Sequence, residues 1–264
     1  MKATLQSGIS LIELMIAMVI GLFLILGVTQ IYIDNKKSYV FQQGQSENQE
    51  GSRYSILFLQ QELAKAGYRR RPDENIDSVF KATVESGCTF SAGETVKRDS
   101  ANSICIRYQP RDDKERDCLG AIVDTTLNTP YSKTNTVVVQ KISFDNAKNE
   151  VTCQRDSTTA AIVNGIADLR FEYGVGNAVE PQTISNYIKT TASSSQPVLA
   201  VRYTVLFRSM GGKLRESTTI DAALTNWKSL TGATAAELTA MKNADNGNIY
   251  QVTQNTVMLR NRMP

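Results

Sequence analysis

A single carboxylate, Glu13, lies inside an otherwise uncharged apolar stretch near the start of the chain, GISLIELMIAMVIGLFLILG (residues 8–27). On insertion scales, a charged side chain at the centre of a membrane helix costs roughly 2.5–3.5 kcal/mol, so such residues usually serve a function. The chemistry open to a carboxylate in apolar surroundings is pairing with a cation, because the attraction strengthens where water is excluded. Glu13 is therefore the first candidate functional residue.

Residue types needed for common catalytic sites are missing. The chain contains no histidine, which excludes Ser-His-Asp and Cys-His catalysis and removes the commonest zinc ligand. It has neither a nucleophile motif nor a glycine-rich phosphate loop. The loop RDDKERD (111–117) could offer oxygen ligands to calcium, but it lacks the glycine and spacing of an EF-hand, and its interleaved Lys114 and Arg116 favour a mixed-charge exposed loop. We expect no enzyme activity, no cofactor and no metal site.

Three adjacent arginines, Arg69 to Arg71, form the most concentrated basic spot in a chain whose formal net charge is only +3. Such a cluster could bind DNA electrostatically. A solvated turn at the end of a helix is the stronger interpretation, because cations there interact favourably with the helix dipole, and no aromatic stacking platform accompanies the arginines. Nucleic acid is therefore not an expected partner, and DNA binding is kept only as an alternative.

Four cysteines lie in one region of the chain, at Cys88, Cys105, Cys118 and Cys153. None forms a C-x-x-C pair of the kind found in zinc or redox sites. Two structural disulfides in an oxidising compartment are the favoured interpretation, and four buried free thiols in a cytosolic protein are the alternative. Three pairings are possible and the sequence does not choose among them; we favour the sequential pairs, Cys88 with Cys105 and Cys118 with Cys153.

The length and composition suit one globular domain with an additional segment at its N-terminus: 264 residues, 41% hydrophobic and 21% charged. From Leu14 to Ile33 the chain carries no charge, and a helix over these residues would be about 30 Å long, the thickness of the hydrocarbon core of a bilayer. A secretory signal peptide has a shorter apolar run and a clearer cleavage site than Gly27-Val28-Thr29. We therefore expect a membrane-spanning helix.

The helix is predicted to continue over residues 34–68 as an amphipathic segment. Gly67 is a candidate C-terminal cap, and Gly44 and Gly51 predict a bend or melted turn, since each costs up to about 1 kcal/mol against alanine. Apolar residues recur at three- and four-residue steps along one face, at Ile56, Leu59, Leu63 and Ala66. This face is expected to pack on a sheet.

Beyond residue 72 the pattern changes to strands and turns. Strands are predicted at residues 79–85, 103–109, 136–144, 167–175, 198–209, 213–220 and 250–260. Residues 210–213 predict a hairpin turn between two of them, and Thr234-x-x-Glu237 predicts the start of one more helix. The expected fold class is α+β, with a long N-terminal transmembrane and amphipathic helix followed by an antiparallel β-sheet head.

The first residues resemble the signal of type IV prepilins. An eight-residue polar leader, MKATLQSG, ends in Gly8 and is followed by apolar Ile9 and by Glu13 at the fifth position of the remaining chain. The resemblance implies that a prepilin peptidase cuts after Gly8 and methylates the amine of Ile9. It also implies that Glu13 neutralises the buried α-amine of a neighbouring subunit, an attraction of about 4 kcal/mol before desolvation. The family most often begins its mature chain with phenylalanine, and isoleucine is a departure from that pattern.

Short patches elsewhere resemble the PilW-type minor pilins, whose heads are similar to those of J-type pseudopilins. The patches are LQQELAKAGY (59–68), DCLGA (117–121) and TVMLRNRMP (256–264). The resemblance implies a non-catalytic structural subunit that helps prime filament assembly within a minor-pilin tip complex. Because Glu13 is retained, the resemblance further implies that the chain is not the extreme apical subunit. Alternatives are a J-type pseudopilin of a type II secretion system and a DNA-binding minor pilin for natural transformation.

The same resemblance implies a division of the chain, a set of partners and a location. The expected segments are a prepilin leader (1–8), a transmembrane helix (9–33), a continuation of the N-terminal helix (34–68) and a globular β-rich head (69–264). The implied partners are other minor pilins, the major pilin, the prepilin peptidase and the inner-membrane assembly platform, with a tip adhesin as a further candidate. The head is expected in the periplasm before assembly, and near the tip of a type IV pilus afterwards.

Overall fold

The computed structural model describes residue 8 and residues 10–177, 179–193, 196–215 and 220–262. Its first element is one unbroken helix, α1 (Leu11–Lys65), of 55 residues and about 82 Å. The helix ends at Lys65, and Gly67 follows it with a left-handed φ of +75° and with its N–H donating to the carbonyl of Arg107. The left-handed glycine expected after the helix is present, but its N–H bonds the head and not a carbonyl of α1.

The bend predicted at the two glycines of α1 is wrong. At Gly44, a Cβ atom would lie 2.6 Å from Cδ1 of Leu214, and at Gly51 it would lie 3.6 Å from the ring of Phe207. Both glycines thus face the head, but only at Gly44 is there no room for a Cβ atom; at Gly51 the distance is that of an ordinary van der Waals contact. The helix continues through both positions.

The remaining elements form an antiparallel head. They are α2 (Ile76–Val79), β1 (Thr83–Glu85), β2 (Cys88–Phe90), β3 (Val96–Ser100), β4 (Ser103–Tyr108), β5 (Val138–Asp145), β6 (Glu150–Arg155), β7 (Thr158–Asn164), β8 (Ile166–Val175), β9 (Asn186–Ile188), β10 (Val198–Arg208), α3 (Asp221–Thr231), α4 (Ala235–Asn243), β11 (Tyr250–Met258) and a closing 3₁₀ turn, Arg260–Arg262. The strands pair as sheets of order β1-β2, β3-β4-β5-β6-β7 and β11-β10-β8-β9, and each of these pairings is antiparallel. The expected α+β class is confirmed.

The strand predicted at 213–220, together with its hairpin, is wrong over the part of the chain that the structure describes. Lys213–Arg215 form no strand, and residues 216–219 lie outside the described residues. Instead β10 pairs with β11, in a register that joins Arg208 to Tyr250. The intervening segment contains α3, which the sequence analysis did not predict, and α4, which begins with the predicted capping box at Thr234.

The core lies where α1 meets both large sheets. Leu59 and Leu63 of α1, and Ala66 just after the helix, are buried among inward-facing side chains of the two sheets. These residues of the predicted apolar face are confirmed as core, while Ile56 is half-buried. On the opposite face of the four-stranded sheet, α3 buries Leu224 and Trp227 in a second cluster, so this sheet is covered on both sides.

Candidate assembly site

The apolar half of α1 has no cover from the head. The large apolar side chains from Leu11 to Ile33 are each at least 40% exposed. By length and composition this helix is suited to cross a membrane, with an 18-residue window of mean hydropathy 2.8 in which no residue is buried. Lipid or other apolar helices must therefore surround this half of α1, because water would leave its side chains exposed at a large free-energy cost.

At the start of α1, Glu13 accepts a hydrogen bond from the backbone N–H of Ser10, with the nitrogen 3.1 Å from Oε2. Ser10 is the N-cap residue, and Glu13 is the acidic residue of the first turn, where the helix dipole favours negative charge. The hydrogen bond from Ser10 uses only part of the capacity of the carboxylate, which is exposed and can also pair with a cation. The capping role was not predicted, although the spacing S-x-x-E was visible in the sequence.

The expected processing site lies just before this turn. Gly8 is exposed and precedes the first helical residue, Leu11. Ile9 lies outside the described residues. The structure thus places Gly8 and Glu13 at the free end of the helix.

Polar side chains on α1 fix the rest of the helix against the head. The amide of Asn48 donates to the carbonyl of Ile249 at 2.9 Å, and the hydroxyls of Ser52 and Thr253 are 2.8 Å apart. Higher up, the hydroxyl of Tyr203 donates to a backbone carbonyl of α1 at 3.0 Å. Because these contacts satisfy buried polar groups, they also set the position of α1 on the sheet.

The C-terminal segment holds the other end of α1. The Asn261 amide donates to the carbonyls of Ala64 and Ala66, at 2.9 and 3.3 Å, and so satisfies carbonyls that a helix end leaves unpaired. Leu259 is fully buried beside it. The sequence TVMLRNRMP, noted above for its resemblance, therefore contains a helix cap; its last two residues lie outside the described part of the chain.

The three arginines do not form a shared cationic surface. Arg70 is only 3% exposed, and its guanidinium donates to backbone carbonyls of Arg111, Thr129 and Ser132. Arg71 pairs with an aspartate two residues later, at 2.6 Å. The central arginine thus fixes the 109–137 loop on the head and is not available to bind a phosphate.

The carboxylates of the acidic loop, residues 111–117, are paired with lysine and arginine side chains of this protein. Arg111 pairs with Asp112, and Lys65 lies 3.6 Å from Glu115. The side chain of Asp117 is buried against Arg155, with which it forms an ion pair. Among the described residues there is no group of three or more metal-ligating side chains placed to hold an ion.

Two disulfides stabilise the five-stranded sheet and its connections. Cys88 of β2 is bonded to Cys105 of β4, and Cys118 of the 109–137 loop is bonded to Cys153 of β6. These are the sequential pairs that the sequence analysis favoured. All four cysteines are buried. The second bond and Arg70 hold the same loop at two separate points.

Two family models match parts of this chain. Residues 131–261 match the family model described as Type IV Pilus-assembly protein W, and residues 4–29 match the model of the prokaryotic N-terminal methylation motif. A solved structure, a type IV-like pilin from Thermus thermophilus, is 11% identical, and the alignment covers 81% of this chain and 97% of that one with a TM-score of 0.41. A search of curated proteins found no match.

Proposed function

Because this chain is a type IV pilin-like protein of the PilW type, we propose that it is a minor pilin that helps prime filament assembly within a minor-pilin tip complex. The observation that carries the proposal is the placement of Glu13, an exposed carboxylate in the first turn of a helix whose apolar half has no cover from its own head. Such a subunit is complete only when other helices, or lipid, surround it. Its role is structural and non-catalytic.

In this proposal the chain is cut after Gly8, and the new α-amine of Ile9 lies among apolar helices in the filament. The carboxylate of Glu13 meets the amine of a neighbouring subunit, and the pairing sets the register between the two helices. Before assembly, residues 9–33 span the inner membrane and the head stands in the periplasm. Partners are the major pilin, other minor pilins, the prepilin peptidase and the assembly platform.

Two other functions are less well supported. A J-type pseudopilin of a type II secretion system would share the N-terminal motif, but the match over residues 131–261 is to a pilus-assembly family. A DNA-binding pilin is disfavoured because Arg70 is buried and Arg71 is ion-paired. A secretion defect on deletion, with normal pili, would favour the first of these functions over our proposal.

The first test is mass spectrometry of N-terminal peptides, made separately on sheared surface fibres and on membranes. We expect an N-methylated peptide beginning at Ile9 in the sheared fraction. A chain that still begins at Met1 and is found only in membranes would contradict both cleavage and assembly.

The second test separates the charge of Glu13 from its capping contact. Glu13→Gln keeps an oxygen that can accept from Ser10 but removes the negative charge. We expect the amount of this subunit in sheared fibres to fall about tenfold or more, since the lost attraction is of the order of 4 kcal/mol before desolvation. Glu47→Gln, an exposed substitution on the same helix, is the matched control and should leave the amount unchanged. Equal yields from both variants would exclude charge pairing.

A further inference from the structure

A short stretch of exposed helix separates the apolar half of α1 from the head. Each residue from 22 to 39 is exposed, and Gly44 is the first residue of α1 that is buried. Phe41 already lines a cavity together with Ala222 and Ala223 of α3, so the cover from the head begins there. The helix from Ile33, the last residue of the uncharged run, to position 39 is therefore free to contact whatever surrounds the end of the apolar run.

Two tyrosines and two lysines occupy this stretch and are called the collar here: Tyr32, Lys36, Lys37 and Tyr39. Tyr32, Lys36 and Tyr39 follow one another at steps of four and three residues, so they share one face of the helix. The two tyrosines are 65% and 68% exposed. The one carboxylate in this stretch, Asp34, accepts hydrogen bonds from the side-chain amide of Gln30 at 3.1 and 3.2 Å. The collar thus presents aromatic and cationic groups outward.

Side chains of these types are typical of the boundary between a membrane and water. Tyrosine is enriched there because its ring is apolar and its hydroxyl is polar. Lysine lays its aliphatic stem along apolar surface and places its ammonium group among the lipid headgroups. Lysines accumulate on the cytoplasmic side of membrane spans, so two of them on the side of the head run against the usual bias. Binding of anionic headgroups gives both lysines a role.

The spacing between the collar and Glu13 matches the thickness of a bilayer. Along the unbroken helix α1, Glu13 and Tyr32 are about 28 Å apart, and the hydrocarbon core of a bilayer is about 30 Å thick. When Tyr32 lies at one edge of the core, Glu13 therefore lies at the other, where water can solvate its charge. Tyr39 is about 10 Å beyond Tyr32, so the collar spans the headgroup layer, which is roughly 5–8 Å thick.

We propose that the collar binds anionic lipid headgroups on the periplasmic face of the inner membrane and so sets the depth at which α1 crosses the bilayer; this inference rests on the proposed function, which supplies the span and its orientation. The two lysines contact lipid phosphates, and the tyrosine rings lie beside them in the headgroup layer. This depth keeps the carboxylate of Glu13 at the cytoplasmic edge of the core. Its charge then loses water only when the subunit enters the filament, where an amine can pair with it.

The first test measures depth in the full-length chain, reconstituted in vesicles of phosphatidylethanolamine and phosphatidylglycerol. Tyr39→Trp places a fluorophore in the collar, and Leu14→Trp places one beside Glu13. We expect lipid that is spin-labelled at the headgroup to quench both, and lipid that is brominated at the middle of the acyl chain to quench neither strongly. Tyr54→Trp, at an exposed position higher on α1, is the matched control and should be quenched by neither lipid. Because Trp227, the single native tryptophan, is buried in the head, the unmodified chain supplies the background.

The second test measures lipid preference in the Tyr39→Trp chain. Headgroup-labelled phosphatidylglycerol and phosphatidylcholine are compared as trace components of the same vesicles. Phosphatidylglycerol should be enriched about fivefold or more around the tryptophan, since this is the factor that one lysine near an anionic surface contributes. Lys36→Gln combined with Lys37→Gln should remove the preference, and so should high salt, which screens exposed charges. Lys81→Gln combined with Lys133→Gln, at two exposed lysines of the head, is the matched control and should keep it.

Each contrary result has a distinct meaning. Quenching of the tryptophan at position 39 or position 14 by the mid-chain label alone, or by neither label, would overturn the proposed depth and leave the proposed function intact. Equal enrichment of the two lipids would overturn the recognition of anionic headgroups. If the lysine pair variant kept the lipid preference but was lost from sheared fibres, the lysines would contact another subunit and not lipid. A chain that does not float with the vesicles would overturn the proposed membrane span and, with it, this inference.

Discussion

Buried arginines in this head are held by backbone carbonyls. Arg107 is 1% exposed and donates to the carbonyls of Phe80, Lys81, Ser91 and Glu94. Its guanidinium carbon also lies 5.3 and 4.6 Å from the centroids of two phenylalanine rings. Burial lowers the pKa of Arg107 to about 10, which leaves it charged at neutral pH. One side chain thereby fixes two separate segments, residues 80–81 and 91–94, against β4.

Arg107→Lys should lower the free energy of unfolding by about 2 kcal/mol or more, because an ammonium group cannot reproduce the planar set of bonds and leaves buried carbonyls unpaired. Denaturant unfolding of a chain that lacks the apolar half of α1 measures the change. Arg53→Lys, on the exposed side of α1, is the control and should have no effect. Equal stabilities would contradict the role assigned to Arg107.

Two carboxyl groups of the head should respond to pH in opposite ways. Glu62 of α1 is buried, and desolvation raises its pKa from 4.5 although Lys65 donates to it at 2.7 Å. Glu237 caps α4; the backbone N–H of Thr234 and the guanidinium of Arg170 lower its pKa to about 2. The contribution of Glu62 to the free energy of unfolding is fully present below 4.5, the pKa of this group in the unfolded chain, and is lost as the pH rises through its pKa in the folded protein. The contribution of Glu237 is present above 4.5 and is lost as the pH falls toward its folded pKa of about 2.

Thermal unfolding at several pH values tests both signs. At pH 7, Glu62→Gln should raise the midpoint, and the difference from the unmodified chain should shrink as the pH falls through the raised folded pKa of Glu62 toward 4.5. Glu237→Gln should lower the midpoint at pH 7, and that difference should shrink as the pH falls from 4.5 toward 2. A pH-independent effect of either substitution would show that the carboxyl charge is not the cause.

At the scale of elements, α1 is closed at both ends by side chains. Glu13 satisfies an N–H at the start of the helix, and Asn261 satisfies two carbonyls at its end. The second cap comes from a residue almost two hundred positions away in sequence. The last described turn of the chain and the last turn of α1 therefore form as one unit.

Asn261→Ala should cost about 1 kcal/mol of unfolding free energy, since it leaves helix-terminal carbonyls without their donor. Hydrogen exchange should show the loss chiefly in the last turns of α1. Asn146→Ala, an exposed substitution in the turn between β5 and β6, is the matched control. Unchanged protection of α1 in the Asn261 variant would mean that water replaces the cap without cost.

At the scale of the whole molecule, the two halves of α1 lie in different environments. Its first half is exposed and apolar, and its second half completes the core of the head from Gly44 onward. Leu59 and Leu63 are at most 1% exposed, so the core of the head includes side chains of α1.

A chain shortened to residues 34–264 should fold as a soluble monomer, and one shortened to 69–264 should not fold. The second lacks the buried Leu59 and Leu63 of α1, each worth about 2 kcal/mol or more when removed from a core. Size-exclusion chromatography and near-ultraviolet circular dichroism distinguish the two. A cooperatively folded 69–264 fragment would contradict the shared core.

The sequence by itself determined the features that depend on neighbouring residues. Local composition and the helical period are enough to predict several features of α1. They are the uncharged run up to Ile33, the position of Glu13, the apolar face and the glycine at 67. Strands with alternating or continuous β-branched residues, such as β5, β8 and β10, were predicted for the same reason. The type IV prepilin motif belongs to this class, because its residues occupy one short segment.

Only the tertiary structure decided the features that depend on distant contacts. β6 and β7 were missed because EVTCQR and TTAAIVN alternate weakly, and their strand character comes from pairing. The strand that follows β10 in the sheet proved to be β11, which begins only at Tyr250, far beyond the expected hairpin at 210–213. The burial of Arg70 and the cap supplied by Asn261 likewise depend on segments that meet only in the folded chain. Local patterns specify which face of a segment is buried, whereas free energy summed over the whole core selects what lies against that face.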